Sequence, residues 1–166
     1  MKPACRLLLI SALLSLSACG YQLRGSFDMP EELKNLYLAG SSAYLQTEMS
    51  SMLKASKGKF AAMPSEAGIV LKVLKEDMRS RVLSIGTTGK STESELNYYL
   101  RFQFFDSKDR PLIDEQVIEM SREFFNDQTA ILAKTGEEQL IRTEIYKQAA
   151  RMLLARAKIA LDNQKK

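Results

Sequence analysis

The side chains that could carry out acid–base chemistry in this sequence of 166 residues are carboxylates. Histidine is absent, which excludes imidazole metal sites and the Ser–His and Cys–His pairs of nucleophilic enzymes. Glu93, Glu95, Asp114 and Glu119 could act in pairs only inside a cleft lined with aromatic residues, and no such cleft is indicated. Their positions are typical of solvated strand faces. We therefore predict no catalytic residue, no metal site, no cofactor and no enzyme activity.

The first eighteen residues have the pattern of a secretory signal. Lys2 and Arg6 precede an apolar run over residues 7–16. Ten residues make a helix of about 15 Å, roughly half the thickness of the hydrocarbon core of a bilayer. The run is therefore too short for a stable span, and we predict a signal peptide over residues 1–18.

The residues around Cys19 predict a lipid anchor. Small residues precede this cysteine, as in a bacterial lipobox, so cleavage after Ala18 would leave Cys19 to carry acyl chains such as palmitate. Several acyl chains anchor a protein stably, whereas one does not. The alternative is an ordinary secretory signal with Cys19 as a thiol. Cys5 would leave with the signal, so Cys19 would have no partner for a disulfide.

Gly20 follows the anchor, where Asp would favour retention at the inner membrane. We therefore predict an outer-membrane protein that is lipid-anchored on the periplasmic side. Residues 19–30 are predicted to form a tether, and residues 31–166 a single domain. The composition, with 45% apolar and 27% charged residues, is that of a globular domain. The net charge of +4 is too small to indicate a nucleic-acid partner.

The periodicity of the apolar residues predicts an α/β fold of the α+β type with the order β-α-β-β-β-α. Two helices would pack on one face of a four-stranded mixed sheet, which forms a two-layer sandwich. A parity change predicts a bulge near residues 76–80. A capping box at residues 135–138 predicts the start of the last helix. The predicted strands cover residues 33–38, 69–85, 96–104 and 112–125, and the last helix covers residues 137–161. The first helix is predicted to be capped by Ser41 or Ser42, to carry its apolar stripe over residues 45–53 and to stop at Gly58.

The strand directions bring the turn at residues 86–90 and the loop at residues 126–134 to the same end of the sheet, opposite the tether. Lys90 and Lys134 would lie at this end, with Arg122 two or three residues from the end of its strand. Such a basic end could bind anionic phosphate groups. The alternative is that these side chains only make the surface soluble.

Phe124 and Phe125 are adjacent on the last predicted strand. Adjacent strand residues point to opposite faces. If one ring belongs to the core, the other either packs under the following loop or faces a partner.

Three segments resemble one known family, that of the LptE lipoproteins of lipopolysaccharide assembly. The start of the predicted mature chain, Cys-Gly-Tyr-Gln-Leu-Arg-Gly, is similar to the family's mature start. Residues 122–127 and 130–134 are similar to its fourth strand and the following loop, and residues 137–141 to the opening of its last helix. The order of elements agrees along the whole chain.

The resemblance implies a non-enzymatic role. The family's partner is LptD, a large outer-membrane β-barrel that the lipoprotein plugs and helps to assemble, and the lipoprotein binds lipopolysaccharide during export to the outer leaflet. A lysine contact of the family carries over to Lys134. The second basic contact aligns with Thr87, and Lys90 is the nearby substitute. The alternative function is a lipid-anchored periplasmic protein that binds another envelope ligand, such as peptidoglycan or a trafficked lipid.

Overall fold

The computed structural model describes residues 29–86, 91–125 and 131–164, apart from the side chains of 91 and 131–135. Two short 3-10 turns, Glu31–Lys34 and Pro64–Glu66, accompany the regular elements. These elements are β1 (Asn35–Ala39), α1 (Ala43–Ala55), β2 (Lys59–Phe60), β3 (Ile69–Ile85), β4 (Ser91–Phe105), β5 (Gln116–Phe125) and α2 (Ile131–Gln164).

The sheet has the strand order β2-β1-β3-β4-β5. β1 is parallel to both β2 and β3, whereas β3, β4 and β5 form an antiparallel meander. The predicted class, two helices on a mixed sheet, is confirmed. The predicted count of four strands is wrong, because Lys59–Phe60 adds a fifth. Two residues are too few to produce an alternating pattern, so the sequence carried no signal for this strand.

The core lies between the sheet and the two helices. Alternate residues of β4 contribute the largest fully buried side chains, including Leu96, Tyr98, Leu100, Phe102 and Phe104. α1 contributes Leu45, Met49 and Leu53, which follow the helical spacing that buries one face. α2 contributes a stripe from Ile145 to Leu161 that includes Ala149, Leu153 and Ala157.

α2 begins at Ile131, earlier than the capping box predicted. Thr135 and Glu138 therefore lie inside the helix, and the box does not mark its start. Glu138 instead accepts hydrogen bonds from Arg142 one turn later, with a shortest distance of 2.7 Å. The glutamate of a Thr-x-x-Glu sequence suits a helix interior as well as the first turn, because it can pair with an arginine four residues later and so stabilise the helix.

The boundaries of two strands also differ from the prediction. The first strand begins at Asn35, since Leu33 lies in a 3-10 turn, and the last begins at Gln116. Residues 106–115 form a longer connection, which Asp106 stabilises by accepting the backbone N–H groups of Lys108 and Arg110.

The pairing of β3 with β4 is irregular on either side of residues 76–80, where the sequence predicted a bulge. The pairing with β4 shifts between Val73 and Lys75 and again between Val82 and Ser84. At the first shift Leu74 is the extra residue and is 40% exposed. The bulge predicted at residues 76–80 is therefore wrong in position. A parity change shows that an extra residue exists, but several places in a strand can accommodate it.

Gly40 ends β1 beside the first of these irregularities. Its backbone is left-handed, with φ of 79°, and a Cβ atom would lie 2.5 Å from the carbonyl oxygen of Val73. This contact allows the chain to leave the sheet at once and enter α1. Ser42 then caps α1 by accepting the N–H of Leu45 at 3.3 Å.

Replacing Gly40 with alanine is expected to lower the free energy of unfolding by about 2 kcal/mol or more. A left-handed backbone alone costs residues other than glycine about 1–2 kcal/mol, and the added methyl group would also meet the carbonyl of Val73. Urea denaturation would measure the change. Gly136→Ala is the matched control. A Cβ atom there meets nothing within 4 Å, so the helix should gain about 0.5–1 kcal/mol. Equal effects at the two glycines would contradict the assigned role of Gly40.

Candidate functional site

The chain enters the domain at one end of the sheet. Leu36 near the start of β1 pairs with Ile69 at the start of β3, and the preceding Met29 is buried in the core. We call this the proximal end. The seventeen residues of β3 extend away from it over about 50 Å.

The opposite end of the sheet, which we call the distal end, brings together the ends of three strands. Ile85 at the end of β3 pairs with Ser91 at the start of β4, and Glu93 of β4 pairs with Phe125 at the end of β5. α2 starts at Ile131, soon after β5 ends. The segments that join these termini are those in which the sequence placed a basic site.

Three of the predicted site residues fall outside the described part of the chain, namely Cys19, Thr87 and Lys90. The backbone of Lys134 lies in the first turn of α2, whereas its side chain is not among those described. The loop predicted at residues 126–134 is thus shorter than expected, because its last four residues are helical.

Arg122 is the one predicted cationic residue whose side chain is described. It lies on the helix-facing side of β5, and its guanidinium donates hydrogen bonds to Oε1 of Gln148 at 2.8 Å and to the Ser121 carbonyl at 2.9 Å. Arg122 therefore joins β5 to α2. Its exposed position still leaves a cation near the distal end.

The two adjacent phenylalanines have opposite environments. Phe124 is 4% exposed and belongs to the core, whereas Phe125 is 71% exposed. Ser84, Glu93 and Phe125 form one row across the three strands. The ring of Phe125 therefore lies on the sheet face opposite the helices.

Other apolar side chains near the distal end were missed by sequence reasoning. Val82 is 54% and Ile85 is 68% exposed, and Leu83 is also exposed. Val82 lies on the helix-facing side and Phe125 on the other side, so both faces of the sheet expose apolar side chains near the distal end. The parity change in β3 was the available signal, because it showed that the end of this strand does not continue the buried face.

A polar cluster midway along β3 ties α1 to the sheet. Glu76 accepts the N–H and the hydroxyl of Ser42, each at 2.7 Å, and the hydroxyl of Tyr98 at 3.1 Å. Burial, and then the negative charge of Glu76, raise the pKa of Tyr98 far above its usual value. The tyrosine therefore stays protonated and donates to the carboxylate, which gives the cluster a positioning role.

The carboxylate Glu95 has partners that keep it ionised. Hydrogen bonds from Ser121, Asn97 and Arg81 lower the pKa of Glu95, with that from Ser121 making the largest contribution. A carboxylate held in this form does not serve as a general acid. Within the described residues no three potential ligands gather as a metal site would require, and none of the helices searched there is long and apolar enough to cross a membrane.

Comparison with known proteins places most of the chain in one family. The model of the LptE family, described as lipopolysaccharide-assembly, matches residues 32–157. The LPS-assembly lipoprotein LptE of Photorhabdus laumondii is 30% identical over 152 residues, which cover 89% of this chain and 81% of that protein. LptE of Pectobacterium atrosepticum is 29% identical over 150 residues, which cover 86% of this chain and 78% of that protein.

Solved structures agree with the fold. The rare lipoprotein B of Shewanella oneidensis superposes with a TM-score of 0.64 at 26% identity, covering 80% of this chain and 99% of that one. An uncharacterised lipoprotein B of Nitrosomonas europaea superposes with a TM-score of 0.65 at 22% identity, covering 87% of this chain and 96% of that one. The predicted absence of enzyme activity is confirmed by the family, which is one of assembly proteins. Sequence and fold thus converge, and the chain belongs to the LptE family of lipopolysaccharide-assembly lipoproteins.

Proposed function

We propose that this protein is an outer-membrane lipoprotein that plugs the LptD barrel, helps the barrel to assemble and binds lipopolysaccharide on its way to the outer leaflet. The family supports a role in lipopolysaccharide assembly. The observation that carries the finer proposal is the polarity of the sheet. The chain enters at the proximal end, whereas the end of β3, the start of β4 and the end of β5 meet at the distal end, from which the chain continues to α2.

The anchor belongs to the proximal end in this proposal. Residues 1–18 would be removed as a signal peptide, Cys19 would carry the acyl chains, and residues 19–30 would tether the domain of residues 31–166. Because Met29 is buried near the start of β1, the tether would hold this end towards the periplasmic leaflet of the outer membrane. The distal end would then point away from the anchored leaflet.

Lipopolysaccharide binding belongs to the distal end. Lipopolysaccharide carries phosphate groups next to acyl chains, so a site for it needs cations beside apolar surface. Lys134 and Lys90 would supply the cations, with Thr87 as a hydroxyl donor and Arg122 as a secondary contact. The exposed ring of Phe125 at the end of β5 supports an apolar contact.

Plugging agrees with the polar surface of the sheet. The interior of a large barrel is polar, and the face of the sheet opposite the helices carries paired charges. Arg81 pairs with Glu95 at 2.9 Å and Arg101 with Glu115 at 3.6 Å. Such a face can remain in contact with water or with a polar lumen at little cost.

Lys134→Glu is expected to weaken lipopolysaccharide binding about tenfold or more, because a charge-assisted hydrogen bond contributes about 1.5–3 kcal/mol and the new carboxylate repels phosphate. The matched control is Lys54→Glu, which makes the same change of net charge on the exposed last turn of α1. Binding of purified lipopolysaccharide to the full chain, measured by fluorescence titration at fixed ionic strength, compares the two.

Equal affinities of the two variants would contradict the distal site. Competition with soluble peptidoglycan fragments and with phospholipid micelles tests the alternative function. If either displaced a labelled probe that lipopolysaccharide left in place, the protein would be a binding lipoprotein for that other envelope ligand.

A further inference from the structure

β3 is much longer than the strand that runs beside it. β1 pairs only with residues 69–72 of β3, and the left-handed Gly40 then turns the chain out of the sheet. From Lys75 to Ile85, this edge of β3 pairs with no strand in the described ranges 29–86, 91–125 and 131–164. The sheet therefore contains a vacant strand position that continues the line of β1.

The hydrogen bonds of β4 show which backbone groups of β3 face this position. The carbonyl of Phe104 accepts the N–H of Leu112 on the β5 side, so odd-numbered residues of β4 face β3. Tyr99 and Asn97 pair with Asp77 and Arg79, and these two residues of β3 therefore bond to β4. The intervening Met78 and Ser80, and by the same alternation Val82, direct their backbone groups to the vacant side.

The opposite edge of the sheet, formed by β5, is protected by side chains. On β5, the outward carbonyl of Val117 accepts a hydrogen bond from Arg156 at 2.9 Å, and that of Ser121 accepts one from Arg122 at 2.9 Å. Arginine side chains thus occupy acceptors that an added strand would need. No arginine or lysine among the described residues is seen to do the same for Met78, Ser80 or Val82 of β3.

We propose that the β3 edge from Met78 to Val82 binds an extended segment of the barrel partner by strand addition. This inference rests on the proposed function for the identity of the partner. Main-chain hydrogen bonds would supply the affinity, and alternate side chains the specificity. The segment would place apolar side chains beside Met78 and Val82 on the helix-facing side.

The charges favour an acidic segment on the other side and disfavour a second copy of this chain in the register centred on Ser80. On the outer face of β3, Lys75, Arg79 and Arg81 stand against one carboxylate of the same strand, Asp77. Arg79 pairs with Asp77 at 2.6 Å and Arg81 with Glu95 of β4 at 2.9 Å, but the two arginine side chains remain 76% and 68% exposed. Antiparallel pairing of two copies centred on Ser80 would set Arg79 of each copy opposite Arg81 of the other. Like charges directly opposite destabilise a strand pair, whereas carboxylates at these positions would stabilise it.

Hydrogen–deuterium exchange on the full chain tests the inference, first alone in detergent and then in the complex purified with its barrel. In the peptide covering residues 75–85, the amides of Met78, Ser80 and Val82 should exchange rapidly in the free protein and at least about tenfold more slowly in the complex. The companion variant is Ser80→Pro, which removes one outward N–H but leaves the β3–β4 bonds intact. Its control is Ser80→Thr, which keeps the N–H.

The strand addition is supported if exchange slows and if Ser80→Pro recovers several times less barrel than Ser80→Thr at a similar melting temperature. Unchanged exchange in the complex would overturn it, whether or not Ser80→Pro folds. Equal barrel recovery by two folded variants would overturn it as well. A dimer of the free protein that Ser80→Pro dissociates would assign the edge to a second copy instead. If the wild-type chain recovers no barrel, the proposed function fails and the inference fails with it.

Discussion

In cells that produce the chain in excess over the barrel, replacing Cys19 with serine is expected to transfer the excess protein from the membrane fraction to the soluble fraction of the envelope. Serine cannot form the thioether that would hold the diacylglycerol, and without its acyl chains a domain that is not bound to the barrel has no stable membrane attachment. Fractionation with a sucrose gradient, together with metabolic labelling by palmitate, measures both consequences. Labelling should disappear completely, and membrane-bound protein should fall by at least about tenfold, since each buried methylene contributes about 0.8 kcal/mol.

Gly20→Asp is the matched control for this experiment. It keeps Cys19 and its acyl chains but introduces the residue that favours retention at the inner membrane. The variant should therefore still incorporate palmitate and should shift from outer-membrane to inner-membrane fractions. Continued membrane attachment of Cys19→Ser when it is in excess over the barrel, or palmitate labelling in that variant, would show that the anchor lies elsewhere.

Phe124→Ala is expected to lower the free energy of unfolding by about 3–5 kcal/mol, the usual cost of removing a buried phenylalanine ring. The ring packs in the core between β5 and the helices and is 4% exposed. Phe125→Ala, one residue away and 71% exposed, should change the stability by less than about 0.5 kcal/mol. Urea denaturation of the two variants, monitored by circular dichroism, makes the comparison.

The same pair of variants separates folding from function. If the exposed ring of Phe125 contributes to lipopolysaccharide binding, Phe125→Ala should weaken binding while the domain stays as stable as the wild type. Comparable destabilisation by both substitutions would contradict the face assignment. Unchanged binding by Phe125→Ala would remove this ring from the proposed site.

The parts of the fold that sequence predicted are those in which many residues repeat one period. In β4, alternation from Leu96 to Phe104 identified a strand with one buried face, and all five side chains are buried. The stripe Leu45, Met49 and Leu53 identified α1 in the same way. The order of these elements then determined the two-layer class, because a parallel connection and a meander leave few alternatives.

The parts that sequence missed depend on contacts between distant residues. The two-residue β2 exists because Asn35 and Leu36 of β1 offer it partners at Lys59 and Phe60. The bulge at Leu74 is set beside Gly40, which approaches Val73 in space but lies far from it in sequence. The vacant edge of β3 follows from the early exit of β1, and no periodicity in β3 itself indicates that a neighbour is absent.

The candidate site was predicted by resemblance and by strand direction rather than by local chemistry. The similarity to the family indicated Lys134 and Thr87. The alternating strand directions predicted that the turn at residues 86–90 and the loop at residues 126–134 lie at the same end of the sheet. The described geometry supports this arrangement through the pairing of Ile85 with Ser91 and of Glu93 with Phe125. The structural tie from Arg122 to Gln148 could not be foreseen, because it joins residues on different elements.

The most direct test of the central proposal is to purify the full chain, carrying a C-terminal affinity tag, from outer membranes solubilised in mild detergent. We expect it to be recovered with one large β-barrel protein in equal amounts, and mass spectrometry would identify that partner as LptD. Lipopolysaccharide should be present in the purified complex. Recovery of the lipoprotein alone, or with partners in trace amounts only, would contradict its assignment as the plug of an outer-membrane barrel.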